Sequence, residues 1–359
     1  MLFSLAEVLE SGSNLFPPAL VPPKVLAELT STLRPLPPLL LQAFLECRLD
    51  GAGARVDLST LIPTDEGRRQ LWALWQPPAP GPSTPRFEPD WRGVVAFVNE
   101  WVDTRSPLHR AVPFIWLEFD RDEVAARWNA PFPVFYLQPS HYKPERAPGE
   151  TPYSSAIVSP EACKPLVVLA LETARAAPLS PALKESIDRC LDALPEGGFL
   201  TYAAPLLSRG DDTVRLNVAV PARHLFHYLK AISWTGSLAG LQDLLRETGV
   251  PPGVPPETVW FDLDVGAGVV LPSIKVDYHY AEGDPRWVDL FDRLMALGLC
   301  APDKREGALA WPGVSTLTLP GRQLPCRLQR GLTVKVTCTG SSLGAKAYLD
   351  FACRFALFE

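Results

Sequence analysis

The stretch Val259 to Tyr280, V-W-F-D-L-D-V-G-A-G-V-V-L-P-S-I-K-V-D-Y-H-Y, constrains the architecture of this chain most, because both of its arms alternate strictly. Successive strand side chains point to opposite faces, so Trp260, Asp262 and Asp264 share one face and Val259, Phe261 and Leu263 the other. In the return arm Lys275, Asp277 and His279 alternate with Ile274, Val276, Tyr278 and Tyr280, and Gly266 and Gly268 supply the break between arms. An antiparallel pair of this kind needs helices against its apolar face and water or a ligand against its charged one.

The same unit recurs along the chain. A hairpin is expected over Glu46 to Ile62, with Asp50-Gly51 opening its turn. Its return arm, from Val56 to Pro63, resembles V-R-L-N-V-A-V-P at Val214 to Pro221; each ends in proline and runs into a helical stretch with a late tryptophan, Trp75 or Trp234. After a further helix, Trp91 to Val102 or Leu238 to Thr248, comes a tryptophan strand, F-I-W-L-E-F-D at Phe114 to Asp120 or T-V-W-F-D-L-D at Thr258 to Asp264. Trp116 answers Trp260, Glu118 answers Asp262, and Asp120 answers Asp264. The return arms at Pro133 and Pro272 both open on proline. Four elements in the same order mark two related halves, roughly 43 to 139 and 198 to 280, within one domain spanning 1 to 359.

The remaining elements keep this rhythm. Leu26, Leu29 and Leu33 place a first helix over Pro23 to Leu33. Ser159-Pro160 and Ser180-Pro181 start two helices between Ser159 and Leu194, and Trp287, Leu290, Leu294 and Leu297 form one face of another over Asp284 to Leu299. A last hairpin joins Leu332 to Cys338 with Ala345 to Phe355. Proline clusters at Pro35 to Pro38, Gln76 to Pro89 and Val250 to Pro256 read as stiff connectors. The sum is an α+β fold: about ten antiparallel strands in five hairpins, with helices between them on one face. A twisted sheet of that size tends to curl or close. Five hairpin-and-helix units closed into a barrel make the plan of the aromatic prenyltransferase barrel; an opened, helix-backed sheet is the alternative.

Composition narrows the function. With 359 residues, 47% of them apolar, the chain can bury a large core. A net charge of −6 without a local Lys/Arg cluster argues against nucleic acid. Apolar runs such as Pro165 to Leu171 fall far short of the roughly 20 residues of a membrane span, and the start M-L-F-S-L-A-E-V-L-E lacks a basic region, so a cytoplasmic protein is expected. The seven cysteines form no C-x-x-C pair, which points to free thiols.

The face away from the helices collects the candidate site: Trp116, Glu118, Asp120, Arg215, Trp260, Asp262, Asp264, Lys275, Asp277, Lys335, Lys346, Tyr348 and Arg354, with His279 as a candidate general base. In an open sheet this is a solvated surface; in a closed one it lines a pocket. Mixed charges among aromatic residues suit an extended peptide, which presents amides and varied side chains, better than a bare diphosphate. A peptide can also add as a strand to an exposed edge. Any alternating acidic strand produces D-x-D, so Asp262-x-Asp264 and Glu118-x-Asp120 do not call for Mg²⁺, and His224 and His227 lack a third ligand. No metal or cofactor is expected. The chain has no G-x-S-x-G, no P-loop and no strand-linked G-x-G-x-x-G, which weakens hydrolase, nucleotidase and dinucleotide readings.

The segments W-L-E-F-D (116 to 120), V-R-L-N-V (214 to 218), Y-L-K-A-I-S-W-T-G (228 to 236), D-V-G (264 to 266), G-L-C-A-P-D-K-R-E-G-A-L-A-W-P-G (298 to 313) and A-K-A-Y-L (345 to 349) resemble a bacterial family that accompanies ribosomally made, modified peptides. It is similar to the paired peptide-binding proteins of crocagin biosynthesis in myxobacteria. The resemblance implies a protein that binds the leader or core of a precursor peptide and assists its modification, such as pyrroloindoline formation, beside a partner oxygenase and a homologous peptide-binding protein. It carries over no functional residue. An aromatic or peptide prenyltransferase using the barrel lumen is the alternative, for which Lys275, Lys335, Lys346, Tyr278, Tyr280 and Tyr348 are available to a diphosphate.

Overall fold

A computed structural model describes residues 3–34, 36, 38, 42–51, 55–62, 69–70, 92–122, 127–128, 132–136, 160–206, 212–249, 258–322, 324–340 and 342–355. Trp75, most of the proline-rich connectors and the ends of several hairpin loops lie outside the described residues.

Thirteen strands are described: β1 (Gln42–Arg48), β2 (Val56–Ile62), β3 (Ile115–Phe119), the two-residue β4 (Arg121–Asp122) and β5 (Arg127–Trp128), β6 (Phe132–Tyr136), β7 (Phe199–Pro205), β8 (Thr213–Pro221), β9 (Thr258–Gly266), β10 (Val269–His279), β11 (Gly313–Leu317), β12 (Cys326–Thr339) and β13 (Ser342–Phe355). Ten of them pair antiparallel in the order β10-β9-β8-β7-β6-β3-β2-β1-β13-β12. The ring closes through β10 and β12, from Ser273↔Thr339 to His279↔Thr333. The five expected hairpins supply its ten strands, and the closed arrangement, the prenyltransferase-like barrel, is the one adopted. Closure satisfies the edges that an open sheet of this size would leave unpaired.

Helices cover the outside. Those at Arg92–Val102, Pro160–Arg175, Pro181–Asp192, Leu238–Thr248 and Arg286–Ala296 share one apolar core with Leu45, Leu117, Val218, Phe261, Val276, Val334 and Leu349, the outward residues of the strands. Of the two expected serine starts, the Ser180 hydroxyl accepts from Leu183 N at 3.2 Å, and Ser159 lies outside the described residues; Ser237, not singled out in the sequence, caps a further helix by accepting from Gly240 N at 3.0 Å. Ahead of β3 the Trp101 Nε1 donates to Val112 O at 2.8 Å, which fixes where that strand enters the ring.

Several elements have no counterpart in the sequence reading, among them the short helix Pro107–Ala111, β4 and β5. The helix Leu5–Ser11 packs on the expected Pro23–Leu33 helix. The helix Pro302–Ala310 has almost no apolar stripe; it is held by Lys304, whose ammonium donates to Arg48 O at 3.0 Å and Asp50 O at 2.5 Å. Strand β11 pairs with β12 over Cys326–Arg330, just beyond the stretch of β12 that takes β10. β12 and β13 accordingly run six and three residues longer at their starts than the hairpin Leu332 to Cys338 and Ala345 to Phe355.

Candidate functional site

Because the outward residues of each strand join the helices, the alternate residues point into the lumen. They sort into two walls.

The first wall is charged and runs over β8, β9, β10, β12, β13 and β1. Asp262 is its centre: its Oδ1 accepts from Tyr202 Oη at 2.6 Å and Asn217 Nδ2 at 2.7 Å, and its Oδ2 from Lys335 Nζ at 3.0 Å. Lys335 also lies 3.3 Å from Asp277 Oδ1 and donates to Tyr202 Oη at 3.1 Å. Arg215 Nε donates to Asp264 Oδ1 at 3.0 Å, and Lys275 Nζ reaches Asp264 Oδ2 at 3.2 Å. Nearby, Lys346 pairs with Glu46 and lies 3.9 Å from Asp57, which Arg55 also contacts at 3.1 Å. Among the described residues, Arg215, Lys275, Lys335 and Lys346 are thus matched by carboxylates, as is Arg55.

Protonation follows from this pairing. Burial alone would raise Asp262, but Lys335, Arg215 and Lys275 outweigh it and hold the carboxyl well below the usual range. Asp277 shares Lys335 with Asp262; burial and that neighbouring carboxylate push it up to about 7. On the Lys346 side, burial raises Glu46, but Lys346, Tyr348 and Arg215 together outweigh it and leave it at about 2, while burial and Glu46 lift Asp57 to about 6.

The second wall is aromatic and aliphatic. Leu61, Phe114, Trp116, Phe132, Val134 and Ala204 form a cluster separate from the outer core, with Phe44, Tyr136 and Tyr202 packed against it. Phe44 stacks on Trp116 at 4.4 Å between centroids, Phe114 lies 4.7 Å from Tyr136, and Tyr136 5.2 Å from Tyr202. Glu118 stands in this wall. In register it lies between Ser59 and Phe132, and among the described residues it makes no hydrogen bond or ion pair. Burial, only partly countered by the Arg215 charge, raises its carboxyl to about 8. In the charged wall Arg215 Nη2 is buried without an acceptor, and Asn217 Oδ1 is buried without a donor.

The structure therefore gathers Arg215, Asp262, Asp264, Lys275, Asp277 and Lys335 in one network, with Lys346 and Tyr348 beside it and Trp116 and Glu118 opposite. Asp120, just past the end of β3, acts electrostatically on Arg55. Trp260 and His279 belong to neither wall: Trp260 packs edge-on to Phe199 at 5.8 Å and to His279 at 6.1 Å, at the strand ends. His279 has a 53% exposed side chain, and its Nδ1 lies 3.1 Å from Thr333 Oγ1.

Two expectations need correction. Arg354 keeps the inward parity of β13, yet it pairs with Arg327 beyond the last residue matched to β1, Ala352, and is exposed on the β11–β13 extension instead of in the lumen. Tyr278 and Tyr280 point outward: the Tyr278 hydroxyl donates to Gly249 O at 3.2 Å, and Tyr280 packs on Trp287. Among the described residues no group of three His, Cys, Asp or Glu side chains is placed to hold a metal, and the Asp262 and Asp264 oxygens are taken by cations and donors. The aromatic wall was missing from the sequence-derived site. Its signal was available in part: β6 reads F-P-V-F-Y, apolar on both faces, as strands buried on both sides are, and β3 sets Trp116 between Ile115 and Leu117.

No protein-family model matches the chain, and no curated protein matches it in sequence. Among solved structures, the chain is similar to prenyltransferase PriB in ternary complex with L-tryptophan and dimethylallyl thiolodiphosphate, at 14% identity over 97% of this chain and 96% of that one, with a TM-score of 0.49. It is also similar to NotF prenyltransferase, at 11% identity over 88% of this chain and 80% of that one, with a TM-score of 0.39. At these values the likeness is one of outline, and neither structure bears on what this lumen binds. No helix among the described residues is long and apolar enough to cross a membrane.

Proposed function

We propose that the barrel lumen binds a segment of a ribosomally made precursor peptide and holds it for modification by a partner enzyme. The observation that carries this reading is the internal pairing of the lumen cations. A diphosphate needs uncommitted positive charge, whereas Arg215, Lys275, Lys335 and Lys346 are each matched by a carboxylate, with Glu118 and Asp277 in addition. A diphosphate placed there would displace those carboxylates and face them unscreened in a buried site. A peptide brings aromatic or aliphatic side chains to the Phe44, Trp116, Tyr136 and Tyr202 wall and neutral amides to the polar one. The resemblance to the peptide-binding proteins of crocagin-type pathways points the same way.

Prenyl transfer in the lumen is the second reading. It is favoured by one feature, the convergence of four cations and of Tyr202 and Tyr348 around Lys335. Calorimetric titration separates the two. Peptides covering the leader and the core of a precursor encoded beside this gene, and dimethylallyl diphosphate, are titrated in turn into the full chain. Peptide binding in the micromolar range without a diphosphate response is the expected result. Diphosphate binding with no peptide response would overturn it and favour prenyl transfer.

A further inference from the structure

Two of the seven free thiols touch each other. Cys326 opens β12 and Cys353 stands near the end of β13, and the register Cys326↔Phe355, Leu328↔Cys353 makes them diagonal neighbours on adjacent strands. Both lie on the face that joins the outer core, 0% and 1% exposed. Their side chains are hydrogen-bonded to each other, and the backbone N–H of Arg354 donates to the Cys326 sulfur as well. These bonds divide the roles. The hydrogen bond from Cys353 holds Cys326 below the ordinary thiol value, while the same bond and burial push Cys353 well above it. The other five thiols differ. Cys47, Cys300 and Cys338 donate to backbone carbonyls, and burial pushes Cys163 up to about 11 and Cys190 to about 12.

We propose that Cys326 and Cys353 form a reversible disulfide when the protein meets hydrogen peroxide, a redox switch at the open end of the β12–β13 hairpin. In the first step the Cys326 thiolate displaces hydroxide from the peroxide and its sulfur becomes a sulfenic acid; the hydroxide takes up the proton that Cys326 released and leaves as water. In the second, the Cys353 sulfur attacks that of Cys326, and its proton departs with the sulfenic hydroxyl as a second water. Two thiols are oxidised to one disulfide while one peroxide is reduced to two waters, so atoms and electrons balance. Position supplies access: Cys326 is the first residue of its strand and Cys353 lies two residues from the end of the other, and strand ends open locally at low cost. Diagonal neighbours sit roughly 7–8 Å apart at their Cα atoms, just past the span of a relaxed disulfide. The strand ends must therefore draw slightly together, which makes the bond easier to reduce than a relaxed one and suits a switch better than a permanent staple.

The test exposes the reduced full chain to a slight excess of hydrogen peroxide, followed by alkylation and peptide mapping by mass spectrometry. The expected result is a loss of about two mass units, five alkylatable thiols in place of seven after unfolding, and one linked pair of peptides carrying Cys326 and Cys353. The link should form at least roughly tenfold faster than any other thiol is oxidised, and reduced glutathione should reopen it. Cys353→Ser should leave Cys326 as a sulfenic acid that dimedone traps, and Cys326→Ser should leave Cys353 reduced. Mapping of the unaltered chain decides the matter even if neither variant folds. A folded protein that keeps both thiols while another cysteine is oxidised, a link between a different pair, or a Cys326–Cys353 link that forms only after unfolding in urea would each overturn the switch. These readouts are independent of what the lumen binds.

Discussion

The two walls of the lumen are built from the same kind of strand but solve opposite problems. On β8, β9, β10 and β12 the inward charges are answered by one another: Lys335 sits between Asp262 and Asp277, Arg215 on Asp264, and Tyr202 and Asn217 both donate to the other oxygen of Asp262. On β3 and β6 the inward residues Trp116, Phe132, Val134 and Tyr136 are aromatic or aliphatic, joined by Leu61 of β2, and Glu118 among them makes no hydrogen bond or ion pair among the described residues. A satisfied network of buried charges gives rigidity and little appetite for a ligand, since any ligand must better the bonds it displaces. An apolar wall with one unmatched carboxyl is the reverse: it weakens the empty protein and offers surface to a partner. The charged wall is therefore the frame and the aromatic wall the receiving surface.

The sharpest way to break this division is Lys335→Met. Removing the shared cation leaves Asp262 and Asp277 facing each other in the lumen wall, and a loss of about 3–5 kcal/mol is expected. Chemical denaturation measures it; a loss below about 1 kcal/mol would mean that the wall is a set of independent, solvated pairs.

Trp116→Ala tests the other wall. Trp101, wholly buried between helices with its Nε1 bonded, should cost about 3–5 kcal/mol when truncated to alanine. Trp116 faces the lumen, so its removal enlarges a space instead of opening a sealed cavity, and a smaller loss of about 1–2 kcal/mol is expected. Its effect should fall on the ligand: peptide affinity drops roughly tenfold or more, as for an aromatic anchor in an interface. Equal stability losses at the two tryptophans, with peptide affinity unchanged, would reverse the assignment of the walls.

Much of this was legible in the chain. The strict alternation of Val259 to Tyr280 placed Asp262, Asp264, Lys275 and Asp277 on one face, and the structure keeps all four there because a strand's period leaves no other choice once the outer face is packed by helices. What alternation cannot give is length in space. Arg354 has the right parity, but the ring no longer surrounds β13 at that point, and no local pattern marks where β1 stops pairing. Trp116 and Trp260, equivalents in sequence, differ for a similar reason: one has Phe44 and Leu61 across the sheet, the other lies near the strand ends beside Phe199. Closure itself had a trace in β6, whose two apolar faces need cover on both sides. The helix Pro302–Ala310 had none, since a lysine bonded to two distant carbonyls holds it.

Protonation gives a finer contrast. Glu118 moves from an ordinary carboxylate value to about 8 on folding, so between roughly pH 4.5 and 8 the native state holds a proton that the unfolded chain has released. Stability must then fall as pH rises through that window, and Asp277, raised to about 7, adds to the fall with the same sign. Thermal unfolding from pH 5 to pH 8 should show a declining midpoint. Glu118→Leu should flatten the decline and at pH 8 exceed the unaltered protein by about 1–2 kcal/mol, because it removes an unmatched acid from an apolar wall. A variant less stable than the parent at pH 8 would mean that Glu118 has a structural partner in solution.

The smallest expected effects come from residues that alternation assigned to the site and the ring leaves at or beyond its margin. Trp260→Ala should weaken peptide binding by no more than about threefold, since that ring packs on Phe199 and His279 and takes no part in the aromatic wall. Arg354→Ala should change stability by less than about 0.5 kcal/mol, as exposed substitutions usually do, and leave peptide affinity unaltered. The comparison is informative in both directions. Should Arg354→Ala cost tenfold in affinity while Trp116→Ala costs nothing, the peptide would be lying along the β11–β13 extension, where the outer edge of β11 has no strand paired to it among the described residues. Binding would then be strand addition outside the barrel, and the lumen would be only a core.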